Sequence, residues 1–272
     1  MANPSLTTAA DFELPGSAGK LHGRRWGTDR DPSYVALLCH GYGEHLGRYE
    51  WVARRLTADG AVVYAIDHVG HGLSDGERVL ITDYEAVVDD FHLLCRHARG
   101  ENAGLPVVLI GHSMGGMIAA RYAQRFGSDL ACVVLSGPVL GSWAPVAAFL
   151  GVSDIPDTPI DPSTLSRDSA VGAAYVADPL VWHGPFKRET ITALQAAMDT
   201  ISGAGMVATP MLWLHGEDDQ LVPYRDTAPG WALIAGPDDR RKTYPGARHE
   251  IFNETNRDEV LDDVVAFVHQ FV

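Results

Sequence analysis

The chain has 272 residues, 46% of them hydrophobic, with a formal net charge of −14 and a sequence pI near 5.2. That length suits one α/β domain with room for an insertion, and the negative charge argues against electrostatic attraction to nucleic acid or anionic lipid headgroups. Cys39, Cys95 and Cys132 lie in apolar or helical contexts without CxxC or metal-ligand spacing, so they read as buried free thiols of a reducing compartment. Met1–Ser5 lacks a basic leader, and no apolar run reaches the roughly 18 residues of a membrane span. A cytoplasmic location is the resulting expectation.

In chain order, Phe12 to Leu14 and Leu21 to Trp26 read as a leading antiparallel pair. Tyr34 to Cys39, Ala61 to Ile66, Val107 to Ile110, Cys132 to Leu135 and Met211 to Leu214 are short continuous apolar runs. Such runs belong to parallel strands buried on both faces. Helical patterns fill the intervals over Arg48 to Ala58, Asp83 to Arg99, Met114 to Phe126 and Tyr224 to Ile234. A last one, Arg257 to Val272, carries Val260, Leu261, Val264, Val268 and Phe271 on one face. The alternation predicts a mostly parallel central sheet flanked by helices. From Pro138 to Thr209 the alternation stops and prolines recur, which predicts a helical insertion over 138–209 capping a core of 1–137 and 210–272. Its apolar pieces, among them Leu140 and Phe149, are candidates to line an acyl tunnel or touch a lipid surface.

Ser113 stands in Gly111-His112-Ser113-Met114-Gly115, directly after an apolar strand and directly before a helix. A sharp strand-to-helix turn pushes such a hydroxyl above the sheet, and the flanking glycines clear a space that a Cβ would fill. The helix beginning at Met114 aims free N–H groups at a developing oxyanion. A serine nucleophile needs a base oriented by a carboxylate, in the chain order Ser, acid, His. The cluster Glu217, Asp218 and Asp219 follows a late strand, and His249 lies in a Pro/Gly loop before the last helix. Position separates His249 from His183, His215 and His269. The glycine-rich loop His40-Gly41-Tyr42-Gly43-Glu44 supplies a second oxyanion donor at the Tyr42 amide.

Three stretches carry a family resemblance: His40-Gly41-x-Gly43-Glu44-His45-x-Gly47-Arg48-Tyr49, Asp67-His68-Val69-Gly70-His71-Gly72-x-Ser74-x-Gly76, and Gly111-His112-Ser113-Met114-Gly115-Gly116. With Ser166-Arg167-Asp168 through Asp178-Pro179-Leu180, the chain resembles the bacterial members of the monoacylglycerol lipase family of α/β-hydrolases. The resemblance implies an α/β-hydrolase fold and a triad of Ser113, Asp219 and His249. It also implies an oxyanion hole from the Tyr42 and Met114 amides, and Glu44 and Arg48 in the pocket for the glycerol head. Phe252 departs from it, standing where the mammalian enzyme has a histidine. The expected activity is cleavage of monoacylglycerols to fatty acid and glycerol, with no metal or organic cofactor. The rivals are a general carboxylesterase or lysophospholipase and, in another class, a small-molecule receptor with little turnover.

Overall fold

A computed structural model describes residues 9–157 and 159–272; the reading of Met1–Ser5 lies outside them. The leading pair forms as β1 (Ala9–Gly16) and β2 (Gly19–Trp26), antiparallel to each other, and β2 runs antiparallel to β4 (Ala61–Ile66). The other strands, β3 (Tyr34–Cys39), β5 (Val107–His112), β6 (Cys132–Ser136), β7 (Met211–Gly216) and β8 (Arg240–Tyr244), pair in parallel. The order across the sheet is β1-β2-β4-β3-β5-β6-β7-β8. Every residue of β3, β4, β5, β6 and β7 is buried, because helices cover both faces.

Alternate residues divide between two cores. Val35, Leu37 and Cys39 face α2 (Tyr84–Glu101), α3 (Met114–Phe126) and α6 (Arg188–Ala204), while Tyr34, Ala36 and Leu38 face α1 (Glu50–Ala58) and α8 (Arg257–Val268). Between β6 and β7 lie α4 (Ala144–Leu150), a single turn of 3-10 helix at Pro162–Thr164, α5 (Ser169–Ala177) and α6. The buried side of α6, with Ile191, Leu194, Met198 and Ile201, joins the first core. α7 (Tyr224–Ile234) links β7 to β8.

One strand was not foreseen, and two local expectations need correction. β8 is a strand although its sequence, Arg-Arg-Lys-Thr-Tyr, is polar; it lies at the sheet edge, where charged side chains are tolerated and Lys242 pairs with Asp263 of α8. α8 stops at Val268, so Phe271 falls beyond it and stays 37% exposed instead of packing on the sheet. The helix expected from Arg48 begins as a 3-10 turn, Leu46–Tyr49, capped by the His45 side chain, before α1 proper.

After β3 the chain goes to β4 on one side, while β5 lies on the other. Such a reversal opens a crevice at the C-terminal strand ends, where open α/β sheets bind ligands. The loops after β3 and β5 meet there.

Candidate active site

Ser113 occupies the turn between β5 and α3 at φ 55° and ψ −119°, a conformation that L residues rarely adopt. Its N–H donates to the Ser136 carbonyl at 2.9 Å, and its own carbonyl accepts from Gly116 and Val139 at 3.0 and 3.2 Å, so both sides of the turn are fixed. The glycines are steric necessities. A Cβ on Gly115 would lie 2.1 Å from the Cys39 carbonyl oxygen, and one on Gly111 would lie 2.3 Å from that of Gly115. The first turn of α3 is thereby pressed against the end of β3.

His249 Nε2 lies 2.9 Å from Ser113 Oγ, and its Nδ1 lies 2.7 Å from Asp219 Oδ2. Of the acidic cluster, Asp219 is buried and turned inward while Glu217 and Asp218 face solvent. Asp219 Oδ1 accepts the N–H groups of Leu221 and Val222 at 3.0 and 2.8 Å. Sequence reasoning set His215 aside, yet it touches the same carboxylate. Trp213 Nε1 donates to its Nδ1 at 3.0 Å, which leaves the Nε2 proton facing the Val222 carbonyl at 2.7 Å and Asp219 Oδ2 at 3.3 Å. His215 is therefore a brace for Asp219; its only signal was its place four residues earlier. His183 and His269 are exposed and stand apart.

Burial alone would raise the Asp219 pKa, but the imidazoles of His249 and His215 hold it well below the usual carboxylate range. Burial works against charging His249, yet Asp219, backed by Glu250 and Glu44, lifts its pKa above the ordinary 6.5. Neighbouring His112 moves the other way, to about 4, because it is buried beside His249. A base must be unprotonated, so activity falls as pH drops through the raised His249 value. The acid limb of kcat/KM is thus expected to have its midpoint above 6.5, and Asp219→Asn to shift it downward in the residual activity; an unmoved limb would assign it to another group.

The loop after β3 is held by its own side chains. Glu44 accepts from the Gly41 N–H at 2.6 Å, Tyr49 Oη at 2.7 Å and Arg48 Nη1 at 2.9 Å, and these contacts, Arg48 foremost, outweigh burial and keep its pKa low. Asp67, in the second motif, accepts the Leu46 and Leu73 N–H groups at 2.8 Å each, so that motif buttresses this loop. Among the described residues no backbone acceptor takes the N–H of Tyr42 or Met114. Met114 opens α3, whose first amides have no helical partner.

The segment between β6 and β7 grips the loop after β3 and the loop that carries His249. Trp182 N–H donates to Gly43 O at 2.7 Å, and His45 Nε2 meets Asp178 Oδ2 at 2.8 Å. On the other side the N–H groups of His249 and Glu250 donate to Thr164 O and Leu165 O at 3.3 and 2.8 Å. Glu254, fully buried, accepts from Arg248 N, Arg167 N and Arg167 Nε at 2.8, 3.0 and 2.9 Å.

Ser113 opens into a pocket with Trp143, Ile160, Leu165, Phe186, Leu221 and Val222 as its apolar wall and Glu44, Arg48 and Glu250 as its polar one. A smaller adjoining space shares Glu44, Arg48, His112 and Glu250 and adds Tyr49, Phe252 and Asn253. Two expected lining residues are elsewhere. Leu140 is 1% exposed within the first core, and Phe149 sits behind Phe186, ring centroids 5.6 Å apart. Phe186 itself stacks on Tyr42 at 4.4 Å. Glu250, also unforeseen, clamps Arg48 with both oxygens, at 2.7 and 2.8 Å.

A hydroxyl, an imidazole and a buried carboxylate hydrogen-bonded in series, beside unpaired amides, define a serine hydrolase. Residues 30–256 match the model of a hydrolase family described as serine aminopeptidase, S33. The chain is 39% identical over 253 residues to the monoacylglycerol lipase of Mycolicibacterium smegmatis, covering 89% of this chain and 90% of that one. It is 33% identical over 260 residues to human monoglyceride lipase, covering 92% and 85%. The crystal structure of Paleococcus ferrophilus monoacylglycerol lipase superposes with a TM-score of 0.79 at 26% identity, over 93% of this chain and 99% of that one. The chain belongs to the monoacylglycerol lipase family of α/β-hydrolases.

Proposed function

We propose that the chain hydrolyses monoacylglycerols to fatty acid and glycerol, with Ser113 as nucleophile, His249 as base and Asp219 as its orienting carboxylate. The observation that carries this reading is that Ser113 lines a pocket with an apolar wall of Trp143, Ile160, Leu165, Phe186, Leu221 and Val222 and a polar wall of Glu44, Arg48 and Glu250, which suits an acyl chain joined to a small polyol. His249 Nε2 takes the Ser113 proton as Oγ attacks the ester carbonyl, and Asp219 stabilises the imidazolium through Nδ1. The Tyr42 and Met114 amides receive the oxyanion. Collapse of the tetrahedral intermediate returns the proton to the departing glycerol oxygen. Water then attacks the acyl-enzyme by the same relay and frees Ser113.

Residues 138–209 serve as the cap in this reading, with α6 tying it to the core. Three apolar side chains of the cap stand out into solvent: Leu150, Val152 and Val176 are 39%, 44% and 60% exposed. These side chains support transient contact with an uncharged lipid or micelle surface; no described helix is long and apolar enough to cross a membrane. Hydrolysis of mono-, di- and triacylglycerols, a methyl ester and a lysophospholipid at one chain length tests the assignment, in monomeric and vesicle-borne form. The monoacylglycerol is expected to lead by about tenfold or more in kcat/KM, given hydrogen bonds to charged groups worth about 1.5–3 kcal/mol each. A methyl ester hydrolysed equally well would reduce the activity to that of a general carboxylesterase, and equal rates in both physical forms would remove the surface contact.

A further inference from the structure

The polar wall beside Ser113 holds two buried carboxylates and one guanidinium. Glu250 takes Arg48 through both oxygens, Glu44 takes the same Nη1 at 2.9 Å, and Asn253 Nδ2 donates to Glu250 at 2.9 Å. Glu44 and Glu250 are each 5% exposed, and Tyr175 covers Arg48, its ring centroid 5.2 Å from the guanidinium carbon. Arg48 is the sole Lys or Arg among the described residues lining either space. His112, the nearby imidazole, stays neutral near pH 7 because burial and His249 hold its pKa at about 4.

We infer that Glu250 is a specificity-determining residue: it leaves the alcohol pocket with one net negative charge, so a neutral polyol is accepted and an alcohol bearing a phosphate is rejected. The inference rests on the monoacylglycerol reading above. Phosphate recognition calls for a guanidinium, ammonium or amide free to point at the anion. Here the guanidinium is turned to Glu250 and Glu44 instead. A phosphate monoester brings about −1.5 to −2 of charge at neutral pH, and like charges a few ångströms apart in a poorly hydrated pocket repel strongly. Hydroxyl groups carry no such cost and can donate to the same carboxylates. Without Glu250 the remaining Glu44–Arg48 pair would be neutral and the guanidinium half unsatisfied.

The test compares three octanoyl esters below micelle-forming concentration: 1-octanoylglycerol, its 3-phosphate, and its uncharged 3-O-tert-butyl ether of similar bulk. In the wild-type enzyme the phosphate is expected to fall below the ether in kcat/KM by about tenfold or more. In Glu250→Gln, which keeps the shape and one acceptor for Arg48, that gap is expected to narrow about tenfold, with the phosphate ester's own kcat/KM rising, which mere structural damage would not produce. Equal turnover of ether and phosphate by the wild type overturns the inference without needing any variant. So does a parallel loss on both esters in Glu250→Gln, which would make Glu250 a loop anchor only. If the wild type cleaves p-nitrophenyl octanoate but not 1-octanoylglycerol, the monoacylglycerol reading itself has failed.

Discussion

Ser113→Ala, His249→Ala and Asp219→Asn are each expected to lower kcat by about 10⁴-fold or more while the fold persists. The three groups form one hydrogen-bonded series, 2.9 Å from Oγ to Nε2 and 2.7 Å from Nδ1 to Oδ2, so breaking it at any point disables the same proton transfer. Asp219→Asn keeps shape but loses the charge that stabilises the imidazolium, and its amide can present a donor where Nδ1–H needs an acceptor. Combining two of the changes is expected to cost little more than one, since the groups act as a unit. Asp218→Asn is the internal control: Asp218 faces solvent, and within the turn its backbone N–H, donating to Ala247 O at 2.9 Å, survives the substitution. Kinetics on a soluble ester with circular dichroism of each variant read out both parts. A crippled Asp218→Asn beside an active Asp219→Asn would reverse the assignment of the acid.

The second large effect is expected at Gly115→Ala. The new methyl carbon would stand 2.1 Å from the Cys39 carbonyl oxygen and 2.5 Å from that of His40, both backbone atoms that no rotamer change can move aside. Overpacking of this kind typically costs about 1–3 kcal/mol, and more where the neighbours are rigid. For a chain of this size that corresponds to a fall in Tm of roughly 2–6 °C. Relief of the clash pushes α3 from β3, parting the Met114 amide from the Tyr42 amide, so kcat is expected to drop about 100-fold even in the folded fraction. Gly203→Ala is the matched comparison, since a Cβ there meets nothing within 4 Å. A Gly115→Ala enzyme with native Tm and native kcat would show that the elbow tolerates a side chain and that the spacing is not steric in origin.

The strands that carry the site were legible because burial on both faces leaves a continuous apolar run; β3 and β4 match their expected bounds to the residue. β8 was not, because an edge strand is free to be charged and its register is set by β7, which no local pattern encodes. The geometry brings together Ser113, His249 and Asp219, the three expected from chain order and resemblance. The pocket wall was less readable. Apolar residues in the insertion can face the core or the pocket, and only tertiary packing decides; Leu140 went to the core while Phe186, bounded by proline and lysine, reached the pocket. Glu250 had a weak signal in being the residue next to His249. Its partner Arg48 is 202 positions away, a distance across which sequence alone offers no register.

Residues 163–167 are anchored to the loop that carries His249, which ties their movement to its own. Arg248 holds the Ser163 and Ser166 carbonyls, Ser166 Oγ donates to Asn253 O at 3.0 Å, and Glu254 binds Arg167 from below. Lifting this stretch would drag the base away from Ser113, so an enzyme gaping there is an idle one. On the α4 side Arg188 binds the Phe149, Val152 and Ser153 carbonyls, and among the described residues no such bond reaches the His249 loop. If 138–209 moves as a cap, undocking of 163–167 is expected to cost the alignment of His249 with Ser113 as well. Whatever docks 163–167 more firmly sharpens the relay and, by reciprocity, an engaged relay holds the roof down.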